Sequence, residues 1–255
     1  MSDHDRELAS AFDGQAAKFE RAPVQSDPVA LANLVQTADF PSGGLILDAG
    51  CGPGLVASAL LGVGLRVVGV DLSREMIERA RARCSSSGDR ARFVLGSVYD
   101  HEAEAMGPFD GAISRYVLHH VEEPSAFIGR QVGLLRPGGV LVVCDHLTDP
   151  DPTRASHHQW MERARDRSHS ASPTGGQIVD LFAGAGLVDI TLVEDLYELD
   201  FDEWFDRGTP DQPKEAVRQA LLDGPRVRGF SPTLHANGSI RIEGVRAIVR
   251  GVKPA

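Results

Sequence analysis

The sequence has little cysteine, few aromatic residues and no long apolar run. Its three cysteines, Cys51, Cys84 and Cys144, are scattered and odd in number. Such cysteines suit buried thiols in a reducing compartment, and they offer neither a disulfide framework nor metal-ligand spacing. No apolar run reaches the roughly 18 residues of a membrane-spanning helix, and the first residues contain no apolar signal core. We therefore expect a cytoplasmic protein without a membrane partner.

Positive charge is also scarce: the chain has 26 Lys and Arg against 36 Asp and Glu, which gives a formal net charge of −10. A nucleic-acid backbone would be repelled by this charge unless a local basic patch opposed it. The richest cationic stretches, residues 79–83 and 163–167, have the pattern of solvated helix faces. We therefore expect no nucleic-acid partner.

Hydrophobic residues make up 42% of the chain, enough for a substantial core.

Short apolar strands alternate with helical segments through the first two thirds of the chain. This alternation is typical of βαβ units, in which helices cover both faces of a parallel sheet. The later part adds two strands, near 187–199 and 239–252, and the last of these returns as an antiparallel edge. We expect a single α/β domain over residues 1–255. Its predicted parts are an N-terminal helical lid at 1–40, a cofactor-binding core at 41–148, a helical insertion at 149–186, and C-terminal strands and helix at 187–255.

The sharpest local signal is a glycine-rich turn between a buried strand and a helix. Its glycines are Gly50, Gly52 and Gly54, with Cys51 between the first two. Glycines let the backbone turn tightly and let a ligand approach without interference from a Cβ atom. The spacing G-x-G-x-G departs from the G-x-G-x-x-G of NAD-binding loops. Asp48, at the mouth of the strand, would oppose a pyrophosphate but favour a ligand carrying an ammonium and a sulfonium, as S-adenosylmethionine does.

A second acidic residue ends the next strand. Asp71 follows Val67-Val-Gly-Val70, and its carboxylate can accept hydrogen bonds from both hydroxyls of an adenosine ribose. Leu72 and Met76 are predicted to line the adenine slot. Ser97 and Val98, after the third strand, are predicted to meet the adenine edge.

The order of these motifs resembles class I S-adenosylmethionine-dependent methyltransferases, in the group that includes ubiquinone and menaquinone C-methylases and many natural-product methyltransferases. The resemblance covers residues 40–148 through Asp48–Gly54, Val70-Asp71, Phe109-Asp110 with Leu118-His119-His120, and Leu135–Gly139. It implies a Rossmann-like, doubly wound, seven-stranded sheet of order 3-2-1-4-5-7-6 with the last strand antiparallel. It also implies S-adenosylmethionine as cofactor. One departure is Ser97, where many relatives place an Asp that binds the adenine amino group.

Candidate acceptor-side residues cluster after the fourth strand, in Ser114-Arg115-Tyr116 and His119-His120. An oxygen or acidic carbon acceptor needs a proton removed during methyl transfer, and His is suited to that task near neutral pH. Neighbouring helical residues do not share a face, so we expect at most one of the two histidines in the cleft. Resemblance to sugar O-methyltransferases implies a base at His119 or His120 with Asp145 as partner, although the same pair also serves packing in other relatives. Ser114 and Arg115 are predicted to contact the donor, and Tyr116 the acceptor.

The walls of the substrate pocket are predicted from the two helical lids. In open α/β sheets the ligand lies beyond the carboxyl ends of the strands, where Phe12 and Phe19 of the first helix can cover it. Phe19 is predicted to contact the cofactor. The predicted substrate contacts are Phe12, Tyr116, His146, Trp160 and His169. No metal is expected, because His157 and His158 diverge on a helix and no cysteine or carboxylate completes a ligand set with His146 and His169.

These features predict methyl transfer to a small molecule, quinone-like or a secondary metabolite, at oxygen, nitrogen or carbon. Two alternatives stay open: an NAD-dependent oxidoreductase, and a donor-binding protein of this fold without methyl transfer. The oligomeric state is not predicted.

Overall fold

The computed structural model describes residues 3–255, and three helices precede the sheet. They are α1 (Asp3–Arg21), α2 (Pro23–Ser26) and α3 (Pro28–Ala38). The helix α3 begins at a proline, and the Asp27 side chain caps it by accepting a hydrogen bond from the Val29 N–H at 2.9 Å. Its apolar face buries Leu31, Leu34 and Ala38 against the sheet.

Strands and helices alternate from residue 45 onward, as the sequence pattern predicts. The first half contains β1 (Leu45–Ala49), α4 (Leu55–Gly62), β2 (Arg66–Asp71), α5 (Arg74–Arg83), β3 (Ala91–Leu95), α6 (His101–Ala105), β4 (Phe109–Arg115) and α7 (Pro124–Leu134). The second half contains β5 (Leu135–His146), α8 (Pro152–Arg165), α9 (Gly175–Gly184), β6 (Val188–Asp200), α10 (Phe201–Arg207), α11 (Lys214–Asp223), β7 (Phe230–Leu234) and β8 (Ile240–Val252). Short 3₁₀ turns occupy Ser85–Arg90 and Leu118–His120.

All strands form one sheet of order β3-β2-β1-β4-β5-β8-β6, with β7 paired to β8 outside that path. Strands β1 to β5 are parallel, and β8 runs antiparallel to both β5 and β6. The predicted order and the antiparallel last strand are confirmed. The structure adds β7, which the sequence analysis placed in no element. This strand contains Pro232 and pairs on one side only, which is where a proline is tolerated in a sheet.

Apolar residues fill both faces of the parallel sheet. One cluster packs α7 and α9 on one face, with Phe109, Leu141 and Phe182 buried in it. The other packs α3, α4 and α5 on the opposite face, with Ile46 and Leu60 fully buried in it. A third cluster joins α8, α10, α11 and β7 around Trp204 and Phe230. Burial on both faces explains why the strands are continuously apolar rather than alternating.

The first helix, α1, lies across the end of the sheet where β2 finishes. Its Asp13 accepts a hydrogen bond from the Ser73 hydroxyl at 2.5 Å, at the start of α5. Its Glu20 pairs with Arg79 at 2.7 Å and with Arg83 at 2.5 Å, both on α5. These contacts place α1 over the carboxyl ends of the strands. In the described part of the chain, residues 3–255, every helix is too short or too polar to cross a membrane.

Candidate active site

The glycine-rich turn between β1 and α4 holds its shape through positive φ angles and close packing. Gly50 has φ 73°, and a Cβ there would lie 2.6 Å from a methyl group of Val117. Gly54 has φ 78°, and its Cβ would lie 3.0 Å from Ala80 on α5. The Gly50 N–H donates to the Val70 carbonyl at 2.8 Å, which ties the turn to β2. Glycine is required at both positions by conformation and by space.

Asp71, at the end of β2, organises the turn. Its carboxylate accepts hydrogen bonds from the Gly52 N–H at 2.8 Å and from the Ser73 N–H at 2.9 Å. Burial raises the pKa of Asp71 to about 6, although these two N–H groups favour the charged form. Each oxygen retains a further lone pair toward the cleft, so the carboxylate can also accept from a ligand hydroxyl.

Asp48, on β1, is a buried carboxylate that lacks a full set of partners. The side chain is 1% exposed, and its Oδ2 atom has no hydrogen-bond partner among the described residues. Burial, and then the nearby charge of Asp71, raise the pKa of Asp48 to about 7, while Arg115 acts in the opposite direction. A buried carboxylate oxygen without a partner is costly, and it marks a place where a cationic ligand group would be stabilised.

A cavity of about 510 Å³ opens above these residues, within the size range of small-molecule sites. It brings together most of the residues predicted to bind the cofactor, two of the substrate candidates and one of the two candidate catalytic histidines. These lining residues are Asp48, Gly50, Cys51, Gly52, Asp71, Leu72, Met76, Ser97, Val98, Arg115, Phe19, Phe12, Tyr116 and His120.

The remaining candidates lie elsewhere. Gly54 serves the packing of α4 on α5, and Ser114 is fully buried within β4. Trp160 is 44% exposed on α8 and lines neither cavity. A second, smaller cavity of about 40 Å³ adjoins the first and shares with it four lining residues, Phe19, Gln25, Tyr116 and His120. His119 and His146 line only this smaller cavity.

Residues 25–192, about two thirds of the chain, match a family model described as a methyltransferase domain. The chain belongs to this methyltransferase family. Among curated relatives it is 32% identical over 115 residues to the ubiquinone biosynthesis O-methyltransferase of Vibrio parahaemolyticus. That match covers 45% of this chain and 49% of that enzyme, so the chain spans about half the length of the curated relatives it matches.

Solved methyltransferase-fold structures cover nearly the whole chain. The YcgJ protein of Bacillus subtilis superposes with a TM-score of 0.77 at 23% identity, over 89% of this chain and 99% of that one. Phosphoethanolamine N-methyltransferase 2 of Haemonchus contortus, in complex with S-adenosyl-L-methionine, superposes with a TM-score of 0.67 at 17% identity, over all of this chain and 61% of that one. At these identities the likeness establishes the fold.

The residues of the large cavity fit the family's cofactor, S-adenosylmethionine. The unpartnered Oδ2 of Asp48 suits an ammonium group, and Asp71 suits a pair of ribose hydroxyls. Leu72, Met76 and Val98 provide apolar surface for the adenine. The Ser97 hydroxyl accepts a hydrogen bond from the Tyr99 N–H at 3.3 Å, and its own proton stays available to an adenine nitrogen.

His120 faces the large cavity, and its orientation is set from behind. Its Nδ1 lies 2.8 Å from the Ser168 carbonyl, which can only accept, so Nδ1 carries the proton and Nε2 keeps a free lone pair. The Ser168 hydroxyl donates to Asp166 at 2.7 Å. Phe12 packs edge-on against the ring, with centroids 5.0 Å apart. Burial lowers the pKa of His120, which keeps the imidazole neutral near pH 7.

His119 lies next to His120 but is held by a different partner. Its Nδ1 lies 2.7 Å from an Asp145 oxygen that also accepts the His146 N–H at 2.8 Å. Asp145 is fully buried and His119 is 6% exposed. The two neighbouring histidines sit on a 3₁₀ turn with ring centroids 4.0 Å apart. Only His120 of the pair lines the large cavity, and Asp145 holds His119 rather than His120.

Arg115 and Tyr116 connect the lid to the sheet. The Arg115 guanidinium donates to the carbonyls of Gln25 at 2.8 Å and Val24 at 2.9 Å, both on α2, and lies over the Tyr116 ring. Tyr116 adopts φ 57°, an uncommon conformation for a bulky residue and one that often marks functional sites. Its hydroxyl accepts a hydrogen bond from Arg246 at 3.2 Å.

Several lining residues escaped the sequence analysis because they come from distant segments. Gln25, Tyr99 and Phe127 line the large cavity, and Glu162 and Tyr197 line the small one. None of them belongs to a local motif. Phe127 alone had a sequence signal, as an apolar residue in the first turn of the helix that follows the histidines.

The Glu20→Gln variant is expected to loosen α1 over the cleft, because it removes the ion pairs with Arg79 and Arg83. All three side chains are about one third exposed, so we expect the free energy of unfolding to fall by less than about 1 kcal/mol. The dissociation rate of S-adenosylhomocysteine should rise about three- to tenfold in stopped-flow measurements. Glu7→Gln, an exposed position of the same helix, is the matched control. Equal dissociation rates in the two variants would show that α1 does not retain the donor.

Proposed function

We propose that the protein methylates a hydroxyl oxygen of a small, partly apolar acceptor, of the phenol or quinol class, with His120 as general base. The observation that carries the proposal is that His120 lines the large cavity while its Nδ1 is fixed by Ser168, which leaves the lone pair on Nε2. The similarity to ubiquinone biosynthesis O-methyltransferases supports the acceptor class.

S-adenosylmethionine would supply the methyl group of its sulfonium: the acceptor oxygen would attack the methyl carbon in line, and S-adenosylhomocysteine would leave with the electron pair of the carbon–sulfur bond. Asp48 and Asp71 hold the donor at one end of the cavity, and Phe12 and Phe19 of α1 cover it. The acceptor lies toward Tyr116 and His120, where the two cavities meet. His120 Nε2 takes the hydroxyl proton as the new oxygen–carbon bond forms and the carbon–sulfur bond breaks. Exclusion of water by α1 and the aromatic rings keeps the reacting groups positioned.

The polar chain behind His120 supports this role. The Ser168 carbonyl accepts the hydrogen bond from His120 Nδ1–H, and the Ser168 hydroxyl donates to Asp166, which is 1% exposed. As Nε2 gains a proton, the nearby carboxylate of Asp166 stabilises the imidazolium. A carboxylate behind a histidine is the usual way of orienting a base and stabilising its protonated form.

The test is methyl transfer from labelled S-adenosylmethionine to catechols, hydroquinones, sugars, amines and activated carbon acids. With an oxygen acceptor, His120→Ala should lower kcat about a hundredfold, the usual contribution of general-base catalysis. The affinity for S-adenosylhomocysteine should stay within about threefold, because Asp48 and Asp71 are untouched. His235→Ala, at an exposed position near the C-terminal hairpin, is the matched control.

Three outcomes would contradict the proposal. Equal kcat values for wild type and His120→Ala would leave positioning alone as the mechanism. S-adenosylhomocysteine binding without transfer to any oxygen acceptor would favour another acceptor atom or a donor-binding role. Preference for NADH over S-adenosylhomocysteine would favour the oxidoreductase alternative.

A further inference from the structure

Three histidines converge beside the acceptor end of the cleft from three separate segments. His119 comes from the turn after β4, His146 from the end of β5, and His169 from the loop after α8. One ring nitrogen of each lies within 4.8 Å of a ring nitrogen of the other two. His119 and His169 are buried, and His146 is mostly buried.

Asp145 lies behind two of the three rings, hydrogen-bonded to one and close to the other. Asp145 accepts from His119 Nδ1 at 2.7 Å and lies 3.6 Å from His146 Nδ1. The Nε2 atoms of both rings are therefore free of that carboxylate, and His146 Nε2 is buried with no partner among residues 3–255. Carboxylate–histidine pairs of this kind are typical of the groups that support metal ligands.

The third ring is oriented in the same manner by an amide. The Gln159 Oε1 atom lies 2.8 Å from His169 Nε2 and also accepts the Ser172 N–H, while the Gln159 Nε2 donates to the Ser172 carbonyl. These bonds identify Oε1 as the acceptor, so His169 Nε2 carries the proton and Nδ1 keeps its lone pair.

A polar space large enough for a small ligand lies beside His119 and His146, whereas His169 lines neither cavity. The small cavity of about 40 Å³, lined by His119, His146 and Glu162, exceeds the roughly 15 Å³ that one water requires. The Glu162 carboxylate is 3% exposed, pairs with Arg165 at 3.3 Å and lines the cavity together with His119 and His146.

We propose that His119, His146 and His169 bind one divalent transition-metal ion of the zinc class, with an open coordination position that faces the small cavity. Three neutral imidazoles and one open position are the ligand set of many catalytic zinc sites. Nitrogens bound to zinc at about 2.0–2.1 Å are about 3.4 Å apart, so ring nitrogens that lie within 4.8 Å of one another must approach by up to about 1.4 Å. Because His120, Tyr116 and Phe19 line both cavities, a ligand at the open position lies at the acceptor end of the cleft.

The experiment is a direct metal titration, which needs no methyl transfer and so does not depend on the proposed function. Tag-free protein is treated with a chelator and titrated with Zn²⁺ by calorimetry, and with Co²⁺ by its visible d–d absorption. We expect one equivalent of either ion to bind, and the unfolding temperature to rise with the logarithm of the zinc concentration above its Kd.

The ligand variants are His146→Phe and His169→Phe, which keep an aromatic ring in the stack of histidines but remove the ligand nitrogen. Each should weaken zinc binding at least a hundredfold, and His235→Ala should bind as the wild type does. Asp145→Asn, which alters the group behind His119, should weaken binding about tenfold. Circular dichroism confirms that each variant is folded before titration. Absence of saturable binding to the wild type, or equal affinity in wild type and both Phe variants, would overturn the metal site.

Discussion

The Asp71→Ala variant is expected to lose at least about a hundredfold in affinity for S-adenosylhomocysteine. Asp71 accepts the Gly52 N–H at 2.8 Å and the Ser73 N–H at 2.9 Å, so its removal releases the glycine turn and the start of α5 together. It also removes the acceptor for the ribose hydroxyls. A hydrogen bond to a charged group contributes about 1.5–3 kcal/mol. Loss of the two bonds from the ribose hydroxyls therefore corresponds to more than a hundredfold in Kd.

Calorimetric titration with S-adenosylhomocysteine measures this loss. Asp89→Ala, an exposed acidic position between α5 and β3, controls for the change in net charge. The Kd of Asp71→Asn should lie between those of Asp71→Ala and Asp89→Ala, because the amide oxygen can accept a hydrogen bond from one of the backbone N–H groups but carries no charge. A Kd for Asp71→Ala within about tenfold of the wild-type value would remove Asp71 from the donor site.

The donor end of the site could be predicted from short stretches of sequence. Gly50, Gly52, Asp48 and Asp71 act within their own segments, at the ends of two adjacent parallel strands. The position of each side chain follows from the strand and turn that carry it, and parallel strands bring their carboxyl ends together. The sheet order follows from the same alternation of strands and helices, together with the resemblance to known methyltransferases.

The acceptor end depends on packing between distant segments, which the sequence does not reveal. His119 and His120 are neighbours in sequence, yet Asp145 from β5 holds one ring and Ser168 from the loop after α8 holds the other. Their separate roles depend on the loop that follows α8, which packs against the turn that follows β4. The metal proposal differs from the sequence-based expectation of no metal for the same reason, since His119 was never grouped with His146 and His169.

Strand β7 escaped prediction because its local sequence opposes a strand. Phe230-Ser-Pro-Thr-Leu234 contains a proline, which cannot donate to a sheet ladder. The segment is ordered as a strand by pairing with β8 on one side and by burial of Phe230 against Trp204 and His158. Tertiary contacts of this kind override local preference.

The Asp48→Asn variant is expected to be more stable than the wild type while binding the donor poorly. The pKa of Asp48 is about 7, against 3.8 for an ordinary Asp, so holding the carboxylate charged in its buried site costs up to about 4 kcal/mol. The amide removes that cost but leaves a buried polar group of its own, and we expect a net gain of about 1–3 kcal/mol at pH 8. Urea denaturation at pH 8, with linear extrapolation, measures the gain.

Titration of the Asp48 carboxyl should make both the stability and the donor affinity depend on pH. Its pKa is higher in the folded than in the unfolded chain, so the folded state binds more protons between pH 4 and pH 7, and the contribution of Asp48 to stability falls as the pH rises through that range. The advantage of Asp48→Asn should therefore shrink as the pH is lowered from 8 toward 4. Donor binding follows the opposite trend, because the ammonium group of the ligand requires the charged carboxylate.

Between pH 8 and pH 6 the wild-type affinity for S-adenosylhomocysteine should fall by up to about tenfold, the limit for one group that titrates near pH 7. Asp48→Asn should show weak binding with little change over that range, which titration calorimetry at several pH values resolves. Asp71, whose pKa is about 6, and the adjacent Arg115 also face this carboxyl, and both are retained in the variant. An unchanged pH dependence in Asp48→Asn would assign the titration to Asp71. A variant less stable than the wild type at pH 8 would show that the buried carboxylate of Asp48 is stabilised within the free protein.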